Sequence, residues 1–345
     1  MMAEEEPTEA IATGWTNITS VQLDGLVVMK IIKHCHENLP LTVTGQLLGM
    51  DVGENLEITN SYSFPQIQSS TLGPNDADRG DADLDHSQYQ MNMMICVRNV
   101  NIDHQVVGWY QSSGSQMGSF LTMQWIDTQF SYQDNLQNVV CLVYDPVRTE
   151  SGTLGIRAYR LSKAFVEMRK RREFTSFAFS RFGMDSSHII EEVPIDLKMS
   201  TLQKAYIADM FCQPDLSAEN SVELSRLSIA EESPLERTLE FMVNDLEVLN
   251  REQHKYSFFV RSNSARIGGL YQDLVRARRS GKENNDENPG RNEMDKLANA
   301  MSVETPRLES KMLIKELNLY VEKLTSLSVE SVVKENAVLS LQMDQ

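Results

Sequence analysis

The chain has 345 residues, 41% of them hydrophobic and 23% charged, which is enough to build a buried core in about two domains. Its net charge of -17 repels nucleic-acid phosphates on average and argues against broad, non-specific RNA binding. The four cysteines form no CxxC pair, and no apolar run approaches the ~18 residues that a membrane-spanning helix needs. The composition predicts a cytoplasmic protein without disulfides or a cysteine-based zinc site.

Helix-like and strand-like patterns alternate along the first half, after a polar, acidic stretch at 1–18. The predicted elements are a helix within 21–40, strands at 43–50 and 56–65, a helix at 86–101, a strand at 105–112, a helix at 122–133, and strands at 139–146 and 153–161. A Gly-, Pro- and Asp-rich stretch at 72–85 predicts a loop. The alternation predicts a mixed α/β domain.

The second half is predicted to be helical. Residues 233–260 place apolar side chains at spacings of four and three, a heptad seam with Ser233 as N-cap and Pro234 in the first helical position. A second seam at 305–327 follows another Thr-Pro pair, and the polar stretch 281–293 predicts a flexible linker. The predicted seam residues are Leu235, Leu239, Met242, Leu246, Leu249, Tyr256 and Val260 in the first helix, and Leu313, Leu317, Tyr320, Leu324 and Leu327 in the second. A small domain cannot bury both seams, so they predict partner helices.

Two clusters contain residue types that bind metals, but neither has suitable spacing. His34 and His36 lie two apart inside a predicted helix, so their side chains point to different sides, which favours a surface or packing role. The acidic run 76–85 resembles a calcium loop only superficially, because an EF-hand needs Gly in its sixth position and Glu in its twelfth. Counted from the first aspartate of the run, those positions are Asp81 and Ser87, which favours a solvated loop.

One basic run stands out on this acidic chain. Arg169, Lys170, Arg171 and Arg172 are consecutive and are candidates for contact with ribosomal RNA or an acidic partner protein. No aromatic interleaving or RNA-recognition signature accompanies them. A solvated helix face is therefore the favoured interpretation of the run.

The segments VVGWYQSS at 106–113 and LTMQWIDTQ at 121–129 are similar to the signature of the MPN (JAB1/MPN/Mov34) metalloprotease family. Active members read GWYHSHP, then a spacer, then a Ser, two residues and an Asp, with a Glu upstream. In that family two His and the Asp hold zinc, and the Glu is general base to the zinc-bound water, a chemistry that needs all four groups. The resemblance implies an MPN domain, a curved mixed β-sheet flanked by helices, followed here by an all-α C-terminal region.

None of the four functional positions keeps its residue in this sequence. The Glu position is Thr42, the His positions are Gln111 and Ser113, and the Asp position is Trp125, or Gln124 in an ungapped match. Neutral Gln and Ser side chains bind zinc poorly, and a tryptophan fills the space of the ion. The resemblance therefore implies an inactive member with no catalytic residue, no metal, no cofactor and no small-molecule substrate. An active zinc isopeptidase is the less favoured alternative.

Over most of its length the chain is similar to one family of inactive MPN proteins, which belongs to translation initiation factor 3. Segments that carry this similarity include VTGQLLGM at 43–50, GWYQSS at 108–113, IDTQFSYQ at 126–133 and EEVPI at 191–195. The resemblance implies a scaffold that pairs with the factor's other MPN protein, its f subunit, and joins PCI-domain subunits. Such a scaffold helps to assemble the preinitiation complex on the small ribosomal subunit, with indirect contact to mRNA. An inactive MPN component of the proteasome lid or the signalosome is the alternative.

The domain order follows from these observations. We expect a disordered acidic N-terminus at 1–18, an MPN core at 19–162 and a helix-and-strand extension of that domain at 163–215. C-terminal helices for bundle assembly then occupy 216–345, interrupted by the linker at 281–293.

Overall fold

The computed structural model describes residues 18–65, 77–113, 120–136, 138–150, 153–172, 174–212, 234–279 and 307–343. The chain divides into two compact units, of which the first contains 1–161 and 190–228 and the second contains 162–189 and 229–345. The extension predicted at 163–215 is thus shared between the units. None of the described helices combines the length and the apolar character that crossing a bilayer requires.

The first unit is built on one mixed sheet. Its strands are β1 (Ser20–Asp24), β2 (Thr44–Val52), β3 (Asn55–Ser63), β4 (Val106–Ser112), β5 (Val140–Tyr144), β6 (Ile156–Leu161), β7 (Ile190–Val193) and β8 (Ile195–Lys198). They form an eight-stranded sheet in the order β7-β6-β5-β4-β2-β3-β1-β8. The pairs β1–β3, β1–β8 and β4–β5 are parallel and the others antiparallel. The predicted α/β class and the five predicted strands are confirmed.

In the described ranges the helices are, in order, α1 (Gly25–Glu37), α2 (Ala77–Asn99), α3 (Met123–Asn135), α4 (Pro146–Glu150), α5 (Lys163–Arg171), α6 (Ser176–Arg181), α7 (Thr201–Cys212), α8 (Pro234–Arg279) and α9 (Leu308–Met343). The loop predicted at 72–85 is wrong from Ala77 onwards, where α2 begins; residues 72–76 lie outside the described residues. Aspartates near a helix N-terminus interact favourably with the helix dipole, so the acidic run is compatible with a helix start.

Helix α1 lies within the predicted range 21–40 and contains Leu26, Met29, Ile32 and Cys35, the apolar residues whose helical spacing predicted it. Asp24 caps it by accepting a hydrogen bond from the Leu26 N–H at 2.8 Å, and the residues before Gly25 form β1 instead. The side chains of Leu26 and Met29 are 42% and 46% exposed. The buried residues of α1 are Gly25, Val27, Val28, Ile31 and Cys35, and all of them except Gly25 belong to the main core, together with residues of strands β1 to β7. The sheet therefore covers the side of α1 that carries Val27, Val28 and Ile31.

The second unit contains α5, α6, α8, α9 and a 3₁₀ turn (Ser186–His188). Two contacts set the register of α8 against α9: Tyr320 donates a hydrogen bond to Asp245, and the Arg307 guanidinium lies 3.7 Å from the centroid of the Tyr256 ring. The helices therefore run antiparallel. Pro234 is the first helical residue of α8, as predicted. The predicted caps Ser233 and Thr305-Pro306 and the linker 281–293 lie outside the described residues.

Candidate functional site

Three of the four candidate positions, Thr42, Gln111 and Ser113, lie at the end of the sheet where β2 and β4 pair. The Ser112 N–H donates to the Val43 carbonyl at 2.9 Å, and the Val43 N–H donates to Ser112 Oγ at 2.9 Å. This register places Thr42 opposite Ser113. Because side chains alternate along an extended chain, Thr42, Ser113 and Gln111 point to the same side of the sheet.

Helix α3 covers that side of the sheet and carries the fourth candidate position, Trp125. Trp109 lies two residues before Gln111 on β4, and its indole N–H donates to Gln129 Oε1 on α3 at 2.7 Å. Trp125, also on α3, is 1% exposed, and its ring centroid lies 6.3 Å from that of Trp109. The structure thus gathers all four candidate positions on one side of the sheet, while Gln124 is exposed to solvent.

Trp125 is part of a packed aromatic cluster. Its indole N–H donates to the Cys141 Sγ on β5 at 3.2 Å, and burial raises the pKa of that thiol far above its usual value. Phe120 meets the Trp125 ring edge-on at 5.6 Å and stacks on Tyr159 of β6 at 4.9 Å. Aromatic pairs of this kind contribute about 0.5–1.5 kcal/mol each beyond their buried area. The position has become part of the core.

Two buried glutamines anchor α3 to the sheet. Gln129, 0% exposed, also donates to the Val139 carbonyl at 3.3 Å. Gln133, 2% exposed, donates to the Leu161 carbonyl at 3.2 Å and accepts from the Leu161 N–H at 3.1 Å. Sequence reasoning did not single out either residue. The sequence pattern that could have identified them is a pair of polar residues four apart on the apolar face of a helix. This pattern does not distinguish a structural role from a catalytic one.

The residues at the four positions do not fit a zinc ion. Ser113 Oγ donates to the Tyr144 carbonyl at 3.3 Å, and the only nitrogen of the Trp125 side chain donates to a thiol. Neutral hydroxyl and amide groups are poor zinc ligands, and an indole N–H is a donor without a free lone pair. Within the described ranges, no three His, Cys, Asp or Glu side chains are placed so that they could hold a metal ion.

The pair of histidines lies on α1, away from α3. The His34 Nδ1 is hydrogen-bonded to the Tyr110 hydroxyl at 3.0 Å, whereas His36 is exposed. Gly45 makes this contact possible, because a Cβ there would lie 2.4 Å from the Tyr110 ring. Burial raises the pKa of the neighbouring Cys35 thiol to about 12, which makes it a poor nucleophile at neutral pH. This cluster is therefore a packing contact between α1 and the sheet.

The basic run forms the C-terminal end of α5. Arg171 donates to Glu167 one turn earlier at 2.5 Å, and its guanidinium lies 5.6 Å from the centroid of the Phe182 ring. Arg172 caps the helix in the left-handed conformation at φ 54°. Arg171 is thus engaged in local contacts, which favours the helix-face interpretation for part of the run.

The predicted seam residues occupy two different surfaces in the second unit. Leu239 and Leu246 are 39% and 45% exposed, whereas Thr238, one residue before Leu239, is 5% exposed, and Asp245 bonds to Tyr320 of α9. Tyr320 is 4% exposed. The half-buried members are Leu235, Met242, Leu249, Tyr256, Leu313, Leu317, Leu324 and Leu327. The face of α8 turned to α9 is therefore rotated from the predicted seam, and Leu239, Leu246 and Val260 are left exposed.

Two family models match this sequence. The JAB1/Mov34/MPN/PAD-1 ubiquitin protease model matches residues 16–138, and a model of the C-terminal region of eIF3h matches residues 149–345.

Curated relatives agree with both models. The H subunit of eukaryotic translation initiation factor 3 from Arabidopsis thaliana is 36% identical over 260 residues, which is 75% of this chain and 73% of the relative. The H-B subunit of the same factor from Danio rerio is 37% identical and covers 80% of this chain and 78% of its own. The H subunit from Dictyostelium discoideum is 34% identical over 325 residues, which is 93% of this chain and 94% of the relative.

Proposed function

The chain belongs to the family of the H subunit of eukaryotic translation initiation factor 3, and from this membership we propose that it works as a non-catalytic MPN scaffold in that factor. In this proposal it helps to assemble the preinitiation complex on the small ribosomal subunit in the cytoplasm, with indirect contact to mRNA. Its MPN domain pairs with the MPN domain of the f subunit, and its C-terminal helices bind PCI-domain subunits.

The observation that carries the proposal is an exposed apolar surface on both long helices. We call it the outer stripe; it consists of Leu239, Val243 and Leu246 on α8 and of Val321, Val332 and Leu339 on α9, each 39% to 56% exposed. Helices α8 and α9 are 46 and 36 residues long. An apolar stripe that remains exposed on long helices after they have packed together is typical of a surface that binds further helices.

The non-catalytic part of the proposal rests on the residues at the former ligand positions. Gln111 and Ser113 offer neutral groups, Thr42 offers no carboxylate to act as a base, and Trp125 is a core residue. Hydrolysis by a zinc-bound water needs three ligands and a base beside the water. Contact between Arg169–Arg172 and RNA or an acidic partner is kept as a secondary expectation.

The test introduces charge into the outer stripe of the full chain. We expect Leu239→Lys combined with Leu246→Lys to lower recovery of initiation factor 3 subunits with the tagged chain about tenfold, since a buried lysine disrupts an apolar interface. The matched control is Leu202→Lys on α7, where the leucine is 78% exposed. Circular dichroism checks that both variants stay folded.

Quantitative mass spectrometry of the purified complexes gives the readout. Normal recovery of all subunits with the double variant contradicts the proposal. Recovery of proteasome-lid or signalosome subunits instead would assign the scaffold to one of those complexes.

A further inference from the structure

Residues 162–189, which we call the insertion, lie between β6 and β7 in sequence but belong to the second unit. They contain α5, α6 and the 3₁₀ turn. The Ser162 N–H donates to the Ile189 carbonyl at 3.1 Å, so the two ends of the insertion are held together. The chain passes between the units at both of these ends and once more within 213–233.

The beginning of α9 lies against the insertion. The Arg307 N–H, just before α9, donates to the Phe174 carbonyl between α5 and α6 at 3.0 Å. The Lys311 Nζ lies 3.6 Å from the Asp185 Oδ1, at the residue that precedes the 3₁₀ turn, and α9 packs on this turn. Phe174 and Asp185 come before and after α6, so α9 touches the insertion at two separate points.

The first turn of α9 is buried on a side that the predicted seam does not include. Leu308 and Met312 are 5% and 6% exposed. At about 100° per residue, Lys311 points about half a turn away from Tyr320, whose hydroxyl bonds to Asp245 of α8. Leu308 lies about a sixth of a turn from Lys311, and Met312 lies between the directions of Lys311 and Tyr320. Helix α8 therefore covers one side of α9, and the insertion covers the side of Lys311 and Leu308.

The insertion also needs a partner to bury its own apolar side chains. Phe165 and Met168 on α5, and Phe179 and Met184 in and after α6, are all buried. The insertion is shorter than the about 40 residues below which a chain seldom builds a stable core by itself. The insertion and the C-terminal helices form one compact unit, so each helps to complete the core of the other.

We propose that the insertion is a docking site for this chain's own α9, and that this contact keeps the C-terminal helices attached to the rest of the chain independently of the covalent connection through 213–233. The contact combines the apolar Leu308 with the ion pair between Lys311 and Asp185. The inference concerns the chain by itself and goes beyond the proposed function, so either can fail without the other.

Cleavage of the covalent connection is the first test. A recognition sequence for tobacco etch virus protease is placed within 213–233 of the full chain, and the purified protein is cut to completion. We expect the two fragments to co-elute at micromolar concentration in size-exclusion chromatography, at the volume of the uncut chain. Separation of the fragments under these conditions overturns the inference.

Leu308→Asp tests whether the first turn of α9 provides the contact. An aspartate in this position is compatible with the start of a helix, but its charge opposes burial against the insertion. We expect the dissociation constant between the two fragments of the cut chain, measured by native mass spectrometry of a dilution series, to rise at least about tenfold. The matched control is Val329→Asp on the exposed side of the same helix, which should stay within about twofold. An unchanged dissociation constant for Leu308→Asp overturns the inference.

A charge swap tests whether α9 docks on the insertion. Lys311→Glu places two carboxylates opposite each other and should raise the dissociation constant about threefold, since the Asp185 side chain is largely exposed. Adding Asp185→Lys reverses the pair and should return the constant to within about twofold of the unmodified cut chain. A loss that Asp185→Lys does not restore overturns the placement of α9 on the insertion. If Leu308→Asp does not fold, this swap decides.

Discussion

Trp125 donates its indole N–H to the Cys141 Sγ at 3.2 Å, and the two side chains are 1% and 0% exposed. The MPN resemblance implies that Trp125, or Gln124 in an ungapped match, occupies the position of the zinc-binding Asp of active members. In this structure Trp125 packs in the core and Gln124 is exposed. Substitution of Trp125 is therefore expected to affect stability before it affects any binding activity.

Trp125→Ala should lower the free energy of unfolding of the first unit by about 3–5 kcal/mol, because it opens a large cavity under α3 and removes two aromatic contacts. Urea unfolding followed by tryptophan fluorescence and circular dichroism measures the loss. Leu202→Ala on the exposed side of α7 is the control and should stay within about 0.5 kcal/mol of the unmodified protein. A loss below about 1 kcal/mol for Trp125→Ala would show that the cluster is not a core element.

Gln111→His combined with Ser113→His should not create a peptidase. The two new imidazoles would face the right side of the sheet, but Thr42 supplies no general base and Trp125 supplies no third ligand. We expect zinc content far below one ion per chain by atomic absorption, and no cleavage of di-ubiquitin above the level of the unmodified protein. Zinc-dependent turnover by this double variant would contradict the assignment of the lost positions.

The alternation of strands and helices could be predicted from sequence because each strand is short, apolar and bounded by turn residues. Which face of each helix is buried could not be predicted from sequence. Apolar residues run around most of α1, so the spacing Leu26, Met29, Ile32 and Cys35 is as regular as the buried set that includes Val27 and Ile31. Only the position of the sheet decides which side is covered, and that depends on residues distant in sequence.

The same reason explains the rotated seam of α8. Met242, Leu249 and Tyr256 belong to both the predicted seam and the α9-facing surface. The apolar pattern alone therefore cannot decide which residues on either side of them also face α9. Asp245 and Thr238 face α9 although they are polar, and no apolar pattern would have selected them. At the candidate site, the family motif identified the four positions, whereas the anchoring glutamines required the structure.

His34 should make the first unit sensitive to acid. Burial lowers the pKa of His34 below its usual value of 6.5, with a smaller opposing effect from Glu37. A lowered pKa means that folding favours the neutral ring, so this stability is present above pH 6.5 and is lost as the pH falls through the lowered value, by at most about 1.4 kcal/mol per pH unit. His34→Gln should flatten the urea-unfolding free energy between pH 7 and 5, whereas His36→Gln, exposed on the same helix, should not. An unchanged slope for His34→Gln would exclude this role.

Asp245→Asn should stabilise the pairing of α8 with α9. Burial raises the pKa of Asp245, opposed in part by the hydrogen bond from Tyr320, and its Oδ2 is buried without a hydrogen-bond partner. Because the pKa is raised, folding favours the protonated acid; that contribution is present below the unfolded value of 3.8 and is lost as the pH rises through the folded value.

At pH 7 the ionised carboxylate therefore costs stability, and Asn removes the charge while keeping an acceptor for Tyr320. We expect the free energy of unfolding to rise by about 1 kcal/mol at pH 7, and the gain to shrink as the pH approaches 4. Asp245→Ala leaves the Tyr320 hydroxyl without its acceptor and should instead lose about 1–3 kcal/mol. Thermal unfolding across this pH range, with the exposed Glu240→Gln as control, distinguishes these outcomes. A loss of stability with Asn equal to that with Ala would mean that the charge itself holds the two helices together.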